Sequence, residues 1–149
     1  MISLIYGGKG SGKTKRLIEA ANEAYKTNDG YAVYITTKPK HSIQINSAIR
    51  FIDTNEYDLK NKDHAIGFIK GILASNNDIN AMYIDGLSYM ASTEVEDMEA
   101  IFQELEKLSQ KSGVKFTITV SRDVLPEFLK RYNWLFHKSF FLCIIIVKQ

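Results

Sequence analysis

The residues best suited to chemistry lie near the start of the chain, where residues 7–14 read GGKGSGKT. Gly7, Gly12, Lys13 and Thr14 fit the spacing G-x-x-x-x-G-K-[ST]. Glycines at this spacing let the backbone approach a polyphosphate closely, and successive N–H groups then surround its oxygens. The lysine ammonium reaches the outer phosphates, while the threonine hydroxyl binds Mg²⁺. Residues 7–14, here called the glycine-rich loop, are therefore predicted to bind a nucleotide through its phosphates.

Every residue of the glycine-rich loop is a candidate for ligand binding. The candidates are Gly7, Gly8, Lys9, Gly10, Ser11, Gly12, Lys13 and Thr14. The flanking sequence agrees with this reading, because residues 2–6 (ISLIY) form a short apolar run that predicts a buried strand. Residues 13–27 have helical spacing of apolar residues, so a helix would add the positive end of its dipole at Lys13.

A second part of the predicted site is an acid at the end of another apolar strand. Residues 81–85 read AMYID and supply Asp85. An aspartate at a strand end is commonly a turn residue. In a chain that also has the glycine-rich loop, we predict instead that Asp85 holds Mg²⁺ opposite the Thr14 hydroxyl.

A third part depends on the strand that reads FTITV and leads into Ser121 and Arg122. If this strand lies between the strand of the glycine-rich loop and that of Asp85, Thr119 or Ser121 would face the γ-phosphate or an attacking water. A polar strand end without a role is equally compatible with the sequence. We take Lys13 and Ser121 as the candidate catalytic residues, and leave Arg122 open between a phosphate contact and a surface turn.

The acid that usually activates water is missing from its expected places. Gly86 follows Asp85 directly, and the second strand leads into the basic sequence ITTKPK. Glu94 and Glu96 are near in sequence, but Thr93 and Glu96 have the spacing of a capping box, which predicts a helix start. Slow hydrolysis, or hydrolysis completed by a residue of a partner, therefore fits better than fast turnover by this chain alone.

Strands and helices alternate along the chain. Besides the elements already named, the pattern predicts strands over 31–37, 114–120 and 140–147, and helices over 62–75, after residue 93 and over 123–132, with Asp123 as a cap. The segment 38–60 reads either as a helix or as a strand near its end. This alternation predicts an α/β fold, a three-layer αβα arrangement with a mainly parallel sheet of about five strands, in a single domain over residues 1–149.

The amino-acid composition narrows the range of possible binding partners. The 149 residues are 45% hydrophobic with a net charge of +2, too mild a charge to indicate nucleic acid or a membrane surface. Cys143 is the only cysteine, which suits a reducing cytoplasm. The apolar run over 140–147 is too short to span a membrane. We expect a buried strand there, with an interface or oligomer contact as the alternative.

GGKGSGKT, YIDGL and TITVSRD resemble the P-loop NTPase superfamily, in the branch that includes RecA-like and AAA-type ATPases. More narrowly, residues 1–132 resemble small single-domain bacterial ATP-binding proteins that are loosely labelled twitching-motility-type ATPases. The resemblance implies ATP and Mg²⁺ as cofactors, with Lys13, Thr14 and Asp85 in their usual roles.

We therefore expect a chain that binds ATP, or another nucleoside triphosphate, with Mg²⁺ and has weak or partner-dependent ATPase activity. One alternative is a nucleotide-binding regulatory or assembly module that does not hydrolyse. A nucleoside or nucleotide kinase is a further alternative, although Arg16, Arg50, Arg122 and Arg131 are too dispersed for an arginine-rich lid. A protein partner and oligomerisation stay open.

Overall fold

The computed structural model describes residues 1–136, in which strands and helices alternate. The strands are β1 (Ile2–Tyr6), β2 (Tyr31–Thr36), β3 (Arg50–Asp53), β4 (Ile79–Asp85), β5 (Lys115–Val120) and β6 (Asn133–Phe136). The helices are α1 (Lys13–Tyr25), α2 (Lys62–Ser75), α3 (Leu87–Met90) and α4 (Glu99–Ser112). Short 3₁₀ turns occupy Pro39–Gln44, Thr54–Tyr57, Val95–Asp97 and Glu127–Leu129.

The six strands form one sheet in the order β3-β2-β4-β5-β1-β6, and each neighbouring pair is parallel. Strand β5 lies between β1 and β4. This is the strand order on which the prediction for Thr119 and Ser121 depended. In a parallel sheet all the strands end at the same edge, so the loops that follow them meet there. The glycine-rich loop, Asp85 and Ser121 all follow or end strands and therefore share this edge.

Both faces of the sheet are covered because the strands are apolar on both sides. Helix α1 packs on one face through Leu17, Ile18 and Ala21, against strand residues that include Tyr34. Helices α2, α3 and α4 cover the other face, where the larger core cluster lies. This confirms the predicted three-layer α/β fold. None of the helices within residues 1–136 has the length and apolar character needed to cross a membrane.

Within residues 1–136 the sheet has six strands, whereas about five were expected for the whole chain. Strand β3 shows that part of the ambiguous segment 38–60 is extended, and its sequence RFID pairs with β2. Strand β6 was not predicted, because its four described residues carry too little pattern. The strand expected over 140–147 lies outside the described residues.

The prediction of a short helix over residues 123–132 is wrong. Only one 3₁₀ turn, Glu127–Leu129, forms there. The residue before a proline is driven away from helical backbone angles, so Pro126 prevents a helix from running through this segment. Asp123 does not cap a helix, and its carboxylate contacts the glycine-rich loop instead.

Candidate functional site

The glycine-rich loop connects the end of β1 to the start of α1. Gly12 has a left-handed backbone conformation (φ +88°), which residues with a side chain rarely adopt. Helix α1 begins at the next residue, Lys13, and is 13 residues long. The loop therefore ends at the amino end of a helix, where unpaired N–H groups favour a negatively charged group.

The side chain of Lys13 folds back into the glycine-rich loop. Its Nζ donates a hydrogen bond to the carbonyl oxygen of Gly8 at 2.8 Å and lies 3.5 Å from the Ser11 hydroxyl oxygen. Only 8% of the residue is exposed. Burial lowers the pKa of the Lys13 ammonium, and the carboxylate of Asp85 opposes that shift. A partly desolvated ammonium of this kind gains by pairing with an anion.

Asp85, at the end of β4, faces the start of α1. Its carboxylate accepts a hydrogen bond from the Thr14 hydroxyl at 3.0 Å and another from the Thr119 hydroxyl at 2.9 Å. Asp85 is buried. The Thr119 hydroxyl in turn accepts a hydrogen bond from the N–H of Gly86 at 3.0 Å. The fold thus brings together Thr14 and Asp85, the two predicted metal ligands, which are 71 residues apart in sequence.

Thr14 and Asp85 supply oxygen atoms, the ligands that a small, hard cation such as Mg²⁺ prefers. Two protein oxygens are too few for a closed metal site. Within residues 1–136, moreover, no group of three or more His, Cys, Asp or Glu residues is placed to hold a metal ion. Mg²⁺ keeps several waters and commonly completes its shell with phosphate oxygens. Thr14 and Asp85 therefore fit a Mg²⁺ ion that accompanies a phosphate ligand.

The two candidates at the end of β5 have different surroundings. The Thr119 hydroxyl is committed, since it donates to Asp85 and accepts from Gly86. Ser121 is partly exposed and lines the cavity in front of the glycine-rich loop. Within residues 1–136 its hydroxyl makes no hydrogen bond. Ser121 is thus the one of the two whose hydroxyl is available, and its catalytic role stays a prediction.

The cavity has a volume of about 580 Å³, within the usual range for small-molecule sites. It is lined by Lys9, Gly10, Gly12, Lys13, Thr14, Thr37, Lys38, His41, Asp85, Gly86, Tyr89, Thr119 and Ser121. Its charged lining residues are Lys9, Lys13, Lys38 and Asp85, three cations and one anion. The cavity is therefore suited to an anionic ligand.

Asp123 makes a contact that its sequence position did not suggest. Its Oδ1 accepts a hydrogen bond from the N–H of Gly8 at 3.0 Å. A Cβ atom at Gly8 would lie 3.0 Å from Asp123 Oδ2, so a side chain there would press on the carboxylate. Lys13 binds the Gly8 carbonyl while Asp123 binds its N–H, and the backbone is held from both sides. No local pattern could reveal a contact between residues 115 positions apart.

The acids after β4 are engaged away from the cavity. Arg122 donates from Nε to Glu96 at 2.7 Å and from Nη2 to Glu94 at 3.0 Å. Hydrogen bonding from Arg122 lowers the pKa of the Glu96 carboxyl to about 2. The predicted capping box is wrong, since the Thr93 hydroxyl donates to the carbonyl of Ala91. Arg122 thus belongs to a surface ion-pair cluster with the two glutamates.

Comparison with known proteins adds evidence on the fold. No protein-family model matches the chain, and no curated protein sequence matches it significantly. A solved structure, that of the flagellar accessory protein FlaH from Methanocaldococcus jannaschii, is similar with a TM-score of 0.50 and 16% sequence identity. The similarity is one of fold. It covers 85% of this chain but only 63% of FlaH, so this chain spans less than two thirds of the length of FlaH.

Proposed function

We propose that this chain binds a nucleoside triphosphate, most simply ATP, together with Mg²⁺ in the cavity in front of the glycine-rich loop. The observation that carries the proposal is the convergence of Lys13, Thr14 and Asp85 at one end of that cavity. A buried ammonium, a hydroxyl and a carboxylate beside a helix amino end are the groups that a Mg²⁺-bound polyphosphate requires.

Each residue has a distinct part in this proposal. Bound Mg²⁺ would neutralise charge on the β- and γ-phosphates. The Thr14 hydroxyl would bind the ion and Asp85 would hold it through water. Lys13 would turn its ammonium from the Gly8 carbonyl towards phosphate oxygens, while the N–H groups of the glycine-rich loop bind the remaining oxygens.

We propose that hydrolysis is weak or depends on a partner. Within residues 1–136, Asp85 is the only carboxylate that lines the cavity, and it already accepts two hydroxyl hydrogen bonds. The next residue, Gly86, has φ +82°, a conformation that a glutamate at this position would adopt only with strain. Ser121 can orient a water molecule but is a poor base. The same observations favour the second candidate, a module that binds nucleotide without turnover.

Kinase activity has less support from the positions of the arginines. The described arginines do not gather over the cavity, since Arg16 pairs with Glu19 and Arg131 pairs with Glu106. Arg122 is engaged by glutamates on the surface. We also propose that the chain acts as one nucleotide-binding domain in the cytoplasm, and that the narrower resemblance to twitching-motility-type ATPases extends no further than nucleotide binding.

Titration of the purified protein with Mg²⁺·ATP tests the proposal. The Lys13→Ala variant should bind at least about tenfold more weakly, since a charged hydrogen-bonding partner of phosphate is lost. Lys15→Ala is the matched control, because Lys15 is exposed on α1 and does not line the cavity. The proposal is wrong if the wild-type chain binds no nucleoside triphosphate, or if Lys13→Ala binds as tightly as Lys15→Ala.

The same preparations separate the candidate activities. Phosphate release that disappears in Lys13→Ala indicates an ATPase. Tight binding without release indicates a regulatory or assembly module. Transfer of the phosphoryl group to an added nucleoside or nucleotide indicates a kinase.

A further inference from the structure

A second cation faces the glycine-rich loop from the end of β2. Strands β2 and β4 are paired so that Thr36 lies opposite Asp85. The residues that follow β2 therefore emerge beside the predicted metal ligand. Thr37 and Lys38 both line the cavity that Lys13 also lines. A water-activating acid would be expected after β2. The basic sequence ITTKPK stands there instead.

The segment that carries Lys38 is fixed by hydrogen bonds. The buried Thr36 hydroxyl accepts a bond from the N–H of Lys38 at 3.0 Å. The carbonyl of Thr36 accepts from Thr54 at 3.3 Å, and that of Thr37 accepts from the Asn55 side-chain amide at 2.6 Å. A backbone held at three consecutive residues presents the Lys38 side chain from a defined point at the cavity rim.

The charges across the cavity are unbalanced. Within residues 1–136 the Lys38 ammonium makes no ion pair or side-chain hydrogen bond. Lys13 and Lys38 line the same cavity, so their two ammonium groups repel each other. Among the described residues that line the cavity, Asp85 is the only anion. An anionic group between Lys13 and Lys38 would relieve this repulsion.

We propose that Lys38, with Thr37, forms a second anion subsite that takes a phosphate group beyond those enclosed by the glycine-rich loop. The inference rests on the proposed function. That phosphate group has two sources, the terminal phosphate of a bound nucleoside triphosphate or a separate phosphate-bearing molecule next to a bound diphosphate. In the first case Lys38 makes the site distinguish a triphosphate from a diphosphate.

Calorimetric titration of the wild type, Lys38→Met and Lys40→Met with Mg²⁺·ATP and with Mg²⁺·ADP tests the subsite. Lys40 is the control, because it is exposed in the same 3₁₀ turn region and does not line the cavity. If Lys38 contacts the terminal phosphate, Lys38→Met should reduce the ratio of ATP to ADP affinity about five- to tenfold. Lys40→Met should leave that ratio within about twofold of the wild type.

A second titration adds inorganic phosphate to each protein saturated with Mg²⁺·ADP. If the subsite serves a separate ligand, the wild type and Lys40→Met bind phosphate and Lys38→Met does not. The inference is overturned if Lys38→Met matches the wild type in both titrations, or if Lys40→Met loses as much as Lys38→Met. A wild-type chain that binds neither nucleotide refutes the proposed function itself, which is a different result.

Discussion

At the scale of single residues, the peptide at Gly8 is held more firmly than a surface loop requires. Lys13 binds its carbonyl oxygen and Asp123 binds its N–H. Asp123 does not line the cavity, so we regard it as a positioning residue for the loop. The ammonium of Lys13 can pair with a ligand only if the loop keeps its shape when the Gly8 carbonyl is released.

Asp123→Ala should therefore weaken the affinity for Mg²⁺·ATP by about five- to tenfold, the usual net worth of one exposed hydrogen bond. Gly8→Ala should have an effect in the same direction, because the added Cβ presses on the Asp123 carboxylate. Calorimetric titration measures both. Asp97→Ala is the control, since Asp97 is exposed and does not line the cavity. Equal affinities for Asp123→Ala and Asp97→Ala would show that Asp123 has no positioning role.

At the scale of elements, Arg122 joins the segment after β5 to the segment after β4 through Glu94 and Glu96. The glutamates are largely exposed, so we expect the pairs to add little stability at neutral pH. The ion pairs have their clearest effect on the pKa of the Glu96 carboxyl, because two of the Arg122 nitrogens donate hydrogen bonds to it.

Arg122→Gln should raise the pKa of the Glu96 carboxyl from about 2 towards its usual value of 4.5. The small stabilisation that these pairs give is present at pH values above about 4.5, the ordinary pKa of the carboxyl, and is lost as the pH falls from about 4.5 to 2. An NMR titration of the glutamate carboxyl carbons measures the change. Arg131→Gln, which removes a pair with Glu106, should leave Glu96 unchanged. An unaltered Glu96 titration in Arg122→Gln would contradict the assignment.

The elements also show which features could be predicted from the sequence. Strands such as β4 and helices such as α2 were predicted because periodicity is local and the apolar faces repeat within one element. Strand β3 stayed ambiguous and β6 was missed, since four residues carry too little pattern. The roles proposed for Lys38 and Asp123 depend on strand order and on contacts across the chain, which a local pattern does not show. The contact between Asp85 and Thr14 could be anticipated only because the glycine-rich loop implied an acid at the end of another strand.

At the scale of the whole molecule, burial is greatest in the middle of the sheet. Ile84 in β4 and Ile118 in β5 are fully buried, whereas β3, at one side of the described sheet, is only partly buried. Backbone amides in such central strands open mainly through global unfolding, while outer strands open locally.

Native-state hydrogen exchange should therefore give the slowest amides in β4 and β5, and faster exchange in β3. The free energy of opening at Ile84 and Ile118 should equal the global free energy of unfolding, measured independently with denaturant. Protection in β3 as high as in β4 would contradict this gradient.

The position of β1 in the sheet has a consequence for the order of events in folding. Within the described sheet β1 pairs only with β5 and β6, which lie more than a hundred residues later, whereas β2, β3 and β4 pair among themselves. As the chain leaves the ribosome, the glycine-rich loop emerges early but lacks its neighbouring strand and the Asp123 contact until residues near 120 are available. A nascent chain can therefore pair β2, β3 and β4 before the proposed phosphate-binding site is complete.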